Sequence, residues 1–173
     1  FNKALIDRNI KLDTEALSGL PPVSADPELI QKVFYHLIMN AIKFTPDGGS
    51  IKVTGRYLNG DVPPQVEITV SDTGIGIDPA STRAIFEKFG QTGEVLLHSS
   101  GKTKFKGGGP GLGLTIARGI VSAHGGYIRA ESPGYNEETF PGSDFIVSLM
   151  ECSSLSITSF PFLQCTCAFY NPE

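Results

Sequence analysis

Cysteine is almost absent from this sequence, since the first 151 residues have none and all three cysteines lie in the last 22. Disulfides therefore do not staple the core, and a zinc site made of cysteine pairs is not expected. No apolar run approaches the roughly 18 residues that cross a membrane, and the N-terminus lacks the apolar block of a signal peptide. Runs of basic residues are also absent and the formal net charge is −4, so a basic surface that binds nucleic acid is not expected.

The rest of the composition suits a folded domain. The chain has 173 residues, of which 40% are hydrophobic, and this is enough for one core. Residues 152–173 differ, because they contain no Lys, Arg or Gly and a single acidic residue, Glu173. We therefore predict one domain over residues 1–151 and an unassigned C-terminal tail over residues 152–173.

Apolar periodicity and turn residues predict the order of helices and strands. Asp26-Pro27-Glu28 indicates a helix start, because Asp caps free amides and Pro fits the first helical position. Helices are predicted over residues 2–8, 27–44, 79–86 and 110–124, and strands over residues 10–14, 50–58, 65–71, 127–131 and 143–150. This order predicts an α+β fold, an α/β sandwich with helices on one face of a mixed, mostly antiparallel sheet.

The first candidate cluster lies on the predicted helix over residues 27–44. His36, Asn40 and Lys43 have i, i+4 and i+7 spacing and share a face that the apolar residues do not occupy. An Asn oxygen can coordinate Mg²⁺, and a Lys can meet a phosphate as a point charge. An ordinary solvated helix face is the alternative.

The second cluster follows the predicted strand over residues 65–71. Asp72 comes just past the strand end, where a buried carboxylate needs a donor such as the exocyclic amine of adenine. Gly74 and Gly76 would let the backbone approach a flat ring without Cβ clashes. A tight turn with Asp as its cap is the alternative.

The third cluster is the glycine-rich run at residues 107–114, which opens the helix predicted over residues 110–124. Free amides and the positive dipole end make such a helix start an anion site, whereas a flexible joint is the alternative. The preceding residues 89–109 show no periodicity, and so long a stretch is usually functional or mobile.

In this order and spacing, the motifs resemble those of the catalytic ATP-binding domains of sensor histidine kinases, in the superfamily that includes gyrase and MutL. The match consists of N-A-I-K-F-T-P at residues 40–46 (N box), D-T-G-I-G-I at 72–77 (first glycine box), I-F-E-K-F at 85–89 (phenylalanine box) and residues 107–114 (second glycine box). The resemblance covers about residues 10–150. It implies the Bergerat-type sandwich and a mobile ATP lid over residues 90–109.

The resemblance also implies ATP and Mg²⁺ as cofactors, with roles at matching positions. Asn40 would ligate Mg²⁺, Lys43 would contact phosphate, and Asp72 would accept the adenine amino group. Phe86 and Phe89 would anchor the lid. The nucleotide-binding residues that it implies besides Asn40, Lys43 and Asp72 are Gly74, Gly76, Ile77, Phe86, Lys88, Gly109, Gly111, Leu112 and Gly113.

His36 departs from the family pattern, because many members have a second Asn four residues before the Mg²⁺ ligand. A neutral imidazole could still hydrogen-bond or position water, so His36 stands with Asn40 and Lys43 as a candidate catalytic residue. The gyrase-like branch has a Glu base at this position, and its absence argues against that ATPase chemistry.

No histidine of the chain has the context of the family's phosphoacceptor. The resemblance therefore implies a domain that passes the γ-phosphate of Mg-ATP to a histidine on a separate dimerisation and phosphoacceptor domain, with a response regulator as indirect partner. A cytoplasmic location is implied, and attachment of the parent protein to a membrane stays open. The alternatives are an ATPase clamp of the gyrase–MutL kind and a nucleotide-binding interaction module without transfer activity.

Overall fold

A computed structural model describes residues 1–60, 63–87, 105, 111–152 and 165–166. Its helices are α1 (Asn2–Asp7), α2 (Pro27–Phe44) and α3 (Gly113–Ala123), with 3₁₀ turns at Pro79–Ser81 and Ala84–Phe86. Its strands are β1 (Lys11–Ala16), β2 (Val23–Ser24), β3 (Ser50–Leu58), β4 (Gln65–Asp72), β5 (Tyr127–Glu131), β6 (Ser143–Met150) and β7 (Cys165–Thr166).

The main sheet has five strands in the order β1-β3-β4-β6-β5. β1 runs parallel to β3, which it can do because α2 lies in the connection between them, and the remaining neighbours are antiparallel. A second, small sheet pairs β2 with β7. The predicted mixed, mostly antiparallel sheet is confirmed.

The core lies between this sheet and the helices α2 and α3, which also contact each other. Alternate residues of the central strands point to the same face of the sheet, and the helices pack on one of these faces. The buried apolar side chains from these elements are Val66, Ile68 and Val70 of β4, Phe145, Val147 and Leu149 of β6, Ile30, Val33, Leu37, Ala41 and Ile42 of α2, and Ala117 and Val121 of α3. Full burial of each large side chain contributes roughly 1.5–3 kcal/mol.

Local capping explains why α2 begins and ends where it was predicted to. Asp26 Oδ1 accepts a hydrogen bond from the Leu29 N–H at 3.0 Å, and Pro27 takes the first helical position. At the other end, Thr45 has an extended backbone because Pro46 follows it. The end of this helix carries Asn40 and Lys43.

The opposite face of the sheet carries a buried carboxylate. Only 5% of the Glu67 side chain is exposed, and it accepts hydrogen bonds from Arg56 Nε at 2.7 Å and from Arg129 Nη1 at 2.9 Å. Burial alone would raise the Glu67 pKa, but the hydrogen bonds from Arg129 and Arg56 outweigh it and hold the pKa below its ordinary value. This ion cluster ties β3, β4 and β5 together.

Two predictions of local structure were wrong. Residues 79–86 form two 3₁₀ turns and not one helix, because Asp78 Oδ1 caps the Ala80 N–H and the stretch is too short to sustain an α-helix alone. The helix predicted from residue 110 begins at Gly113, because Gly111 has a left-handed φ of +68° that interrupts any helix before it.

The predicted aperiodic stretch over residues 89–109 lies outside the described residues except for Phe105. In the predicted tail, β7 pairs with β2, the Cys152 N–H donates to the Pro22 carbonyl at 2.9 Å, and Cys152 is disulfide-bonded. The part of the tail that is described therefore contacts the domain through backbone hydrogen bonds. Among the helices of the described residues, none is both long enough and apolar enough to cross a bilayer.

Candidate functional site

Asp72 is the last residue of β4 and is 7% exposed. Its Oδ1 accepts a hydrogen bond from the Gly74 N–H at 2.8 Å. Burial raises the Asp72 pKa to about 6, although hydrogen bonding with Gly74 and Ser143 opposes the rise. The negative charge of Asp144 raises the Asp72 pKa further. A buried carboxylate with so few donors is costly, so the position suits a ligand that brings a donor of its own.

Ser143 was missed by sequence reasoning. It is the first residue of β6, is buried, and lies directly opposite Asp72 in the antiparallel ladder. The preceding Gly142 has a φ of +79°, and a Cβ there would come 2.3 Å from the Asp72 carbonyl oxygen. The dipeptide Gly-Ser at a strand start was the available signal, but its meaning depends on which strand pairs with β4.

The glycine turn after Asp72 is fixed by protein atoms. A Cβ on Gly74 would lie 2.5 Å from the Phe44 carbonyl oxygen and 2.6 Å from Asp72 Oδ1. Gly76 has a φ of +75°, and a Cβ there would lie 1.9 Å from the Gly134 carbonyl oxygen. The requirement for glycine at both positions therefore comes from close packing within the fold, whereas approach to a flat ring was the predicted reason.

Ser132, also missed by sequence reasoning, holds this turn from the other side. Its Oγ accepts a hydrogen bond from the Ile77 N–H at 3.0 Å and lies 2.7 Å from the Gly142 carbonyl oxygen, to which it can donate. The Gly142 N–H in turn donates to the Gly74 carbonyl at 2.9 Å. One hydroxyl group thus links the loop before β6 to the turn after β4.

Asp72 also borders a cavity of about 390 Å³ at this edge of the sheet. The cavity is lined by Asp72, Glu131, Ser132, Pro133, Pro141, Gly142, Ser143 and Asp144. No residue of α2 lines it. Of the predicted site residues, the cavity is therefore bordered by Asp72 and does not reach the predicted metal and phosphate residues.

The end of α2 nevertheless contacts the glycine turn directly. The Ile75 N–H donates to the Phe44 carbonyl at 3.2 Å, and Phe44 lies one helical turn after Asn40. Burial lowers the Lys43 pKa, and its Nζ lies 4.8 Å from the centroid of the Phe44 ring. The predicted phosphate lysine is therefore half-buried on a helix end whose backbone contacts the turn after Asp72.

Asn40 is half-buried, and its side chain makes no hydrogen bond to any residue in the described part of the chain. An amide oxygen without an internal partner is a suitable hard ligand for Mg²⁺. The donor set here therefore fits that ion. His36 suits it less well, because an imidazole nitrogen is a ligand that Zn²⁺, Cu²⁺ and Ni²⁺ prefer.

His36 faces the start of α3. A Cβ on Gly113 would lie 3.1 Å from His36 Nδ1, so glycine at this position lets the two helices approach. Burial lowers the His36 pKa, which favours the neutral ring. The structure therefore places α2, which carries the N box, beside Gly113 of the second glycine box. Both motifs are predicted to bind the nucleotide.

The start of α3 suits an anion. Leu112 is its N-cap residue and makes no side-chain hydrogen bond to the free amides of the first turn. Unsatisfied N–H groups and the positive dipole end favour a phosphate at such a position. Gly111, with its positive φ, turns the chain into this helix. Two further predicted residues, Lys88 and Gly109, lie outside the described residues.

Phe86 was predicted to bind nucleotide and to anchor the lid. Its ring is 3% exposed and meets the Phe145 ring edge-on at a centroid distance of 6.3 Å. A ring buried in this way packs within the core, and both predicted roles of Phe86 stay predictions. Glu87, which sequence reasoning missed, accepts hydrogen bonds from Arg118 Nη1 at 2.8 Å and, at its carbonyl, from Thr115 Oγ1 at 3.0 Å.

Comparisons with known proteins identify the class that this fold and site define. Residues 25–151 match the family described as histidine kinase-, DNA gyrase B-, and HSP90-like ATPase. The chain belongs to this family, and its relatives within it are sensor histidine kinases.

The relative named adaptive-response sensory kinase SasA, from Prochlorococcus marinus strain AS9601, is 41% identical over 124 residues. The match covers 70% of this chain and 30% of that protein, so the chain spans about a third of its relative's length.

Solved structures of histidine kinases have the same fold. The catalytic domain of histidine kinase ThkA is 28% identical with a TM-score of 0.63, and the match covers 87% of this chain and 86% of that one. Full-length ShkA, solved in complex with AMPPNP, is 25% identical with a TM-score of 0.66, over 88% of this chain and 28% of that one. The α/β sandwich of this chain is therefore the fold of a histidine kinase catalytic domain.

Proposed function

We propose that this chain is the ATP-binding catalytic domain of a sensor histidine kinase, and that it supplies the γ-phosphate of Mg-ATP to a histidine on a separate dimerisation and phosphoacceptor domain. One observation carries the proposal: the turn after Asp72 is hydrogen-bonded to the end of the helix that bears Asn40 and Lys43. The base, metal and phosphate residues thereby share one region of the fold.

In the proposed complex, Asp72 accepts the adenine amino group and Ser143 helps to hold its carboxylate. Lys43 meets the phosphates as a point charge, and the free amides at the start of α3 add donors. Asn40 would hold Mg²⁺, which neutralises phosphate charge when it is bound. His36 would orient a water or a phosphate oxygen beside these groups.

The transfer of the phosphoryl group requires no further chemistry from these residues. A bond forms between an imidazole nitrogen of the partner domain and the γ-phosphorus, and the bond from that phosphorus to the bridging oxygen breaks, which leaves ADP. The catalytic contribution of this chain is positioning and charge neutralisation. The attacking nitrogen of a neutral imidazole already has a lone pair, and the proton on the other ring nitrogen passes to solvent or to a base of the partner domain, so a general base from this chain is not required.

The comparisons support the nucleotide and the partners. ShkA was solved with AMPPNP, and ThkA, which matches at 28% identity with a TM-score of 0.62 over 87% of this chain and 37% of that one, was solved with response regulator protein TrrA. By analogy, this domain would act with a phosphoacceptor domain of its own parent protein and, indirectly, with a response regulator. Dependence on ATP favours a cytoplasmic location.

The test is calorimetry with ATP and AMPPNP, with and without Mg²⁺, followed by transfer from labelled ATP to an added phosphoacceptor domain. Label on the acceptor, and none on an acceptor whose histidine is replaced by glutamine, is the expected result. Steady ATP turnover with dimerisation on nucleotide would indicate a gyrase–MutL clamp. Binding without transfer to any acceptor would leave an interaction module, and flat calorimetry would refute the proposal.

A further inference from the structure

Ser132 directly follows β5, and its hydroxyl group contacts two separate segments of the chain. Its Oγ accepts a hydrogen bond from the Ile77 N–H at 3.0 Å and lies 2.7 Å from the Gly142 carbonyl oxygen. A serine hydroxyl has a single hydrogen to donate. The Gly142 carbonyl is closer than the Gly134 carbonyl, which lies at 3.0 Å, so we assign that hydrogen to Gly142.

Gly142 connects this hydroxyl group to two donors on the Asp72 carboxylate. On one side, the Gly142 N–H donates to the Gly74 carbonyl at 2.9 Å, and the Gly74 N–H donates to Asp72 Oδ1 at 2.8 Å. On the other side, the Gly142 carbonyl belongs to the same peptide group as the Ser143 N–H, which hydrogen-bonds to the Asp72 carboxylate. Gly74 and Ser143, which both donate to Asp72, are therefore both held by Gly142.

The peptide group between Gly142 and Ser143 transmits the Ser132 hydrogen bond to the carboxylate. A peptide group is planar, so a hydrogen bond that fixes its carbonyl also fixes the direction of its N–H. A donor at the carbonyl polarises the group as well, which strengthens the N–H as a donor. A Cβ on Gly142 would lie 2.3 Å from the Asp72 carbonyl oxygen, so the two backbones are in close contact. Ser132 therefore acts on the orientation of the Asp72 carboxylate through Gly142.

The orientation of the Asp72 carboxylate determines how well it accepts an adenine amino group. A hydrogen bond weakens steeply as its angle departs from linearity, so a rotated carboxylate is a poorer acceptor. A site built to hydrogen-bond one polar group of a ligand discriminates against an analogue that lacks this group, because its own polar atoms are then left unpaired. The preference for adenine should therefore depend on the groups that hold Asp72 in place.

We propose that Ser132 is a positioning residue that sets the preference of the site for the adenine base. This inference rests on the proposed function, because it requires that the site binds adenine nucleotides through Asp72. Ser132 holds Gly142, Gly142 holds the two donors, and the donors hold the carboxylate. The hydrogen bonds of Ser132 go to the turn after β4 and to its own loop, so its removal changes base selectivity and leaves phosphate binding in place.

Three variants isolate the role of this hydroxyl group. Ser132→Ala removes it. Ser132→Thr restores it on a β-branched side chain, which suits the extended backbone that Pro133 imposes on the residue before it. Ser148→Ala is the matched control, because Ser148 is also buried, at 6% exposed, and its Oγ lies 3.4 Å from Glu67 Oε2 on the other face of the sheet.

The experiment compares by calorimetry the binding of ADP and of purine riboside diphosphate, which has a hydrogen in place of the adenine amino group. Measurement at about pH 8 keeps Asp72 ionised, since its pKa is about 6. The parent should bind ADP roughly tenfold more tightly than the analogue. Ser132→Ala should lose about three- to tenfold in ADP affinity while its affinity for the analogue stays within about twofold of the parent's. Ser132→Thr and Ser148→Ala should keep the parent's ratio of the two affinities.

An equal change in the affinities for both nucleotides in Ser132→Ala would overturn the inference, because a site that is merely loosened loses both ligands alike. The inference also fails if Ser132→Thr is as impaired as Ser132→Ala, or if the ratio falls as far in Ser148→Ala. If Ser132→Ala does not fold, Ser132→Cys takes its place, because a thiol has a similar size but is a weak donor. An unchanged ratio in that variant would again overturn the inference.

Two results with the parent protein separate this inference from the proposed function. A parent that binds ADP and the analogue equally tightly does not recognise the adenine amino group, so the inference fails while nucleotide binding stands. A parent that binds neither nucleotide would refute the proposed function and this inference with it.

Discussion

The carbonyl of Phe44 accepts a hydrogen bond from the Ile75 N–H at 3.2 Å. This contact joins the last turn of α2 to the turn that follows Asp72, although the two segments are separated by β3 and β4 in the sequence. The helix that bears the proposed phosphate and Mg²⁺ ligands is therefore hydrogen-bonded to the turn that follows the proposed adenine-binding residue. A disturbance at this junction should change nucleotide binding as a whole and not one contact alone.

Gly74→Ala is the direct test of this junction. The new methyl group would come 2.5 Å from the Phe44 carbonyl oxygen and 2.6 Å from Asp72 Oδ1, so the turn must move away from both. We expect a loss of stability of about 1–3 kcal/mol and a loss of ATP affinity of at least about tenfold. Urea unfolding and calorimetry measure the two quantities.

Gly119→Ala provides the matched control. Gly119 lies within α3, and a Cβ there would meet nothing within 4 Å. Alanine is favoured over glycine in a helix, so stability should rise by roughly 0.5–1 kcal/mol with ATP affinity unchanged. If Gly74→Ala binds ATP as the parent does, the junction is not required for the site.

Asp72→Asn should weaken nucleotide binding and at the same time stabilise the nucleotide-free protein. Replacing the acceptor carboxylate leaves the adenine amino group poorly matched, which costs roughly 1–3 kcal/mol of binding free energy. The free protein, in contrast, no longer buries a charge at neutral pH. Calorimetry with ADP and urea unfolding without nucleotide test the two halves of this prediction.

The same variant has a defined pH dependence. The Asp72 pKa of about 6 lies above its ordinary value of 3.8, so the stability from its protonated form is full below pH 3.8 and is lost as pH rises through about 6. Asp72→Asn lacks this loss, so its advantage over the parent should grow between pH 4 and pH 7, by roughly 3 kcal/mol at most. Parallel pH profiles of the two proteins would contradict the burial of a titrating carboxylate.

Asn40→Ala tests the proposed metal ligand. If Asn40 coordinates Mg²⁺, the variant should lose mainly the increase in ATP affinity that Mg²⁺ provides, while metal-free ATP binds nearly as it does to the parent. Calorimetric titrations in Mg²⁺ and in a chelator give both values. Equal losses under the two conditions would remove Asn40 from the coordination shell.

Glu67→Gln should affect stability and leave the site unchanged. The Glu67 carboxylate has a lowered pKa, so its contribution is present above the ordinary value of 4.5 and is lost as pH falls through the lowered folded value. We expect a loss of about 1 kcal/mol at pH 7, because the Arg56 partner is 65% exposed and solvent screens the pair. A change in ATP affinity would contradict the separation of the two sheet faces.

Glu131→Gln is the control for this cluster. The Glu131 side chain is 60% exposed and meets Arg129 Nε at 2.9 Å. An exposed ion pair contributes little, so urea unfolding should detect almost no change. A loss as large as that of Glu67→Gln would mean that burial does not distinguish the two carboxylates.

The sequence was sufficient where local chemistry decides the structure. The predicted bounds of α2 are confirmed, because Asp26 and Pro27 define its start and Pro46 follows its end. The prediction for residues 79–86 was wrong because apolar content alone does not distinguish 3₁₀ turns from a helix, and the predicted start of α3 was wrong because the positive φ of Gly111 delays the helix. The short β2 and β7 carry no periodicity from which to predict them.

Non-local contacts explain which site residues the sequence did not reveal. Motif residues such as Asp72 and Asn40 were identified by type and order, and their roles stay predictions. Ser143 and Ser132 act through partners that are distant in sequence, and they become visible only when β4 is paired with β6 and the turn after β4 meets the loop after β5. No local pattern around these residues specifies those partners.

The close fit between Gly76 and Gly134 limits where this domain can vary. Because Gly76 also pairs with Tyr135, and the Asn136 N–H donates to the Ile75 carbonyl at 2.8 Å, the loop between β5 and β6 can accept insertions only in the turn beyond these residues, where Glu137 and Glu138 are exposed. That turn is therefore the place where related proteins can diverge in length while the nucleotide end keeps its shape. A tag or a fluorophore placed there would report on the domain without disturbing it.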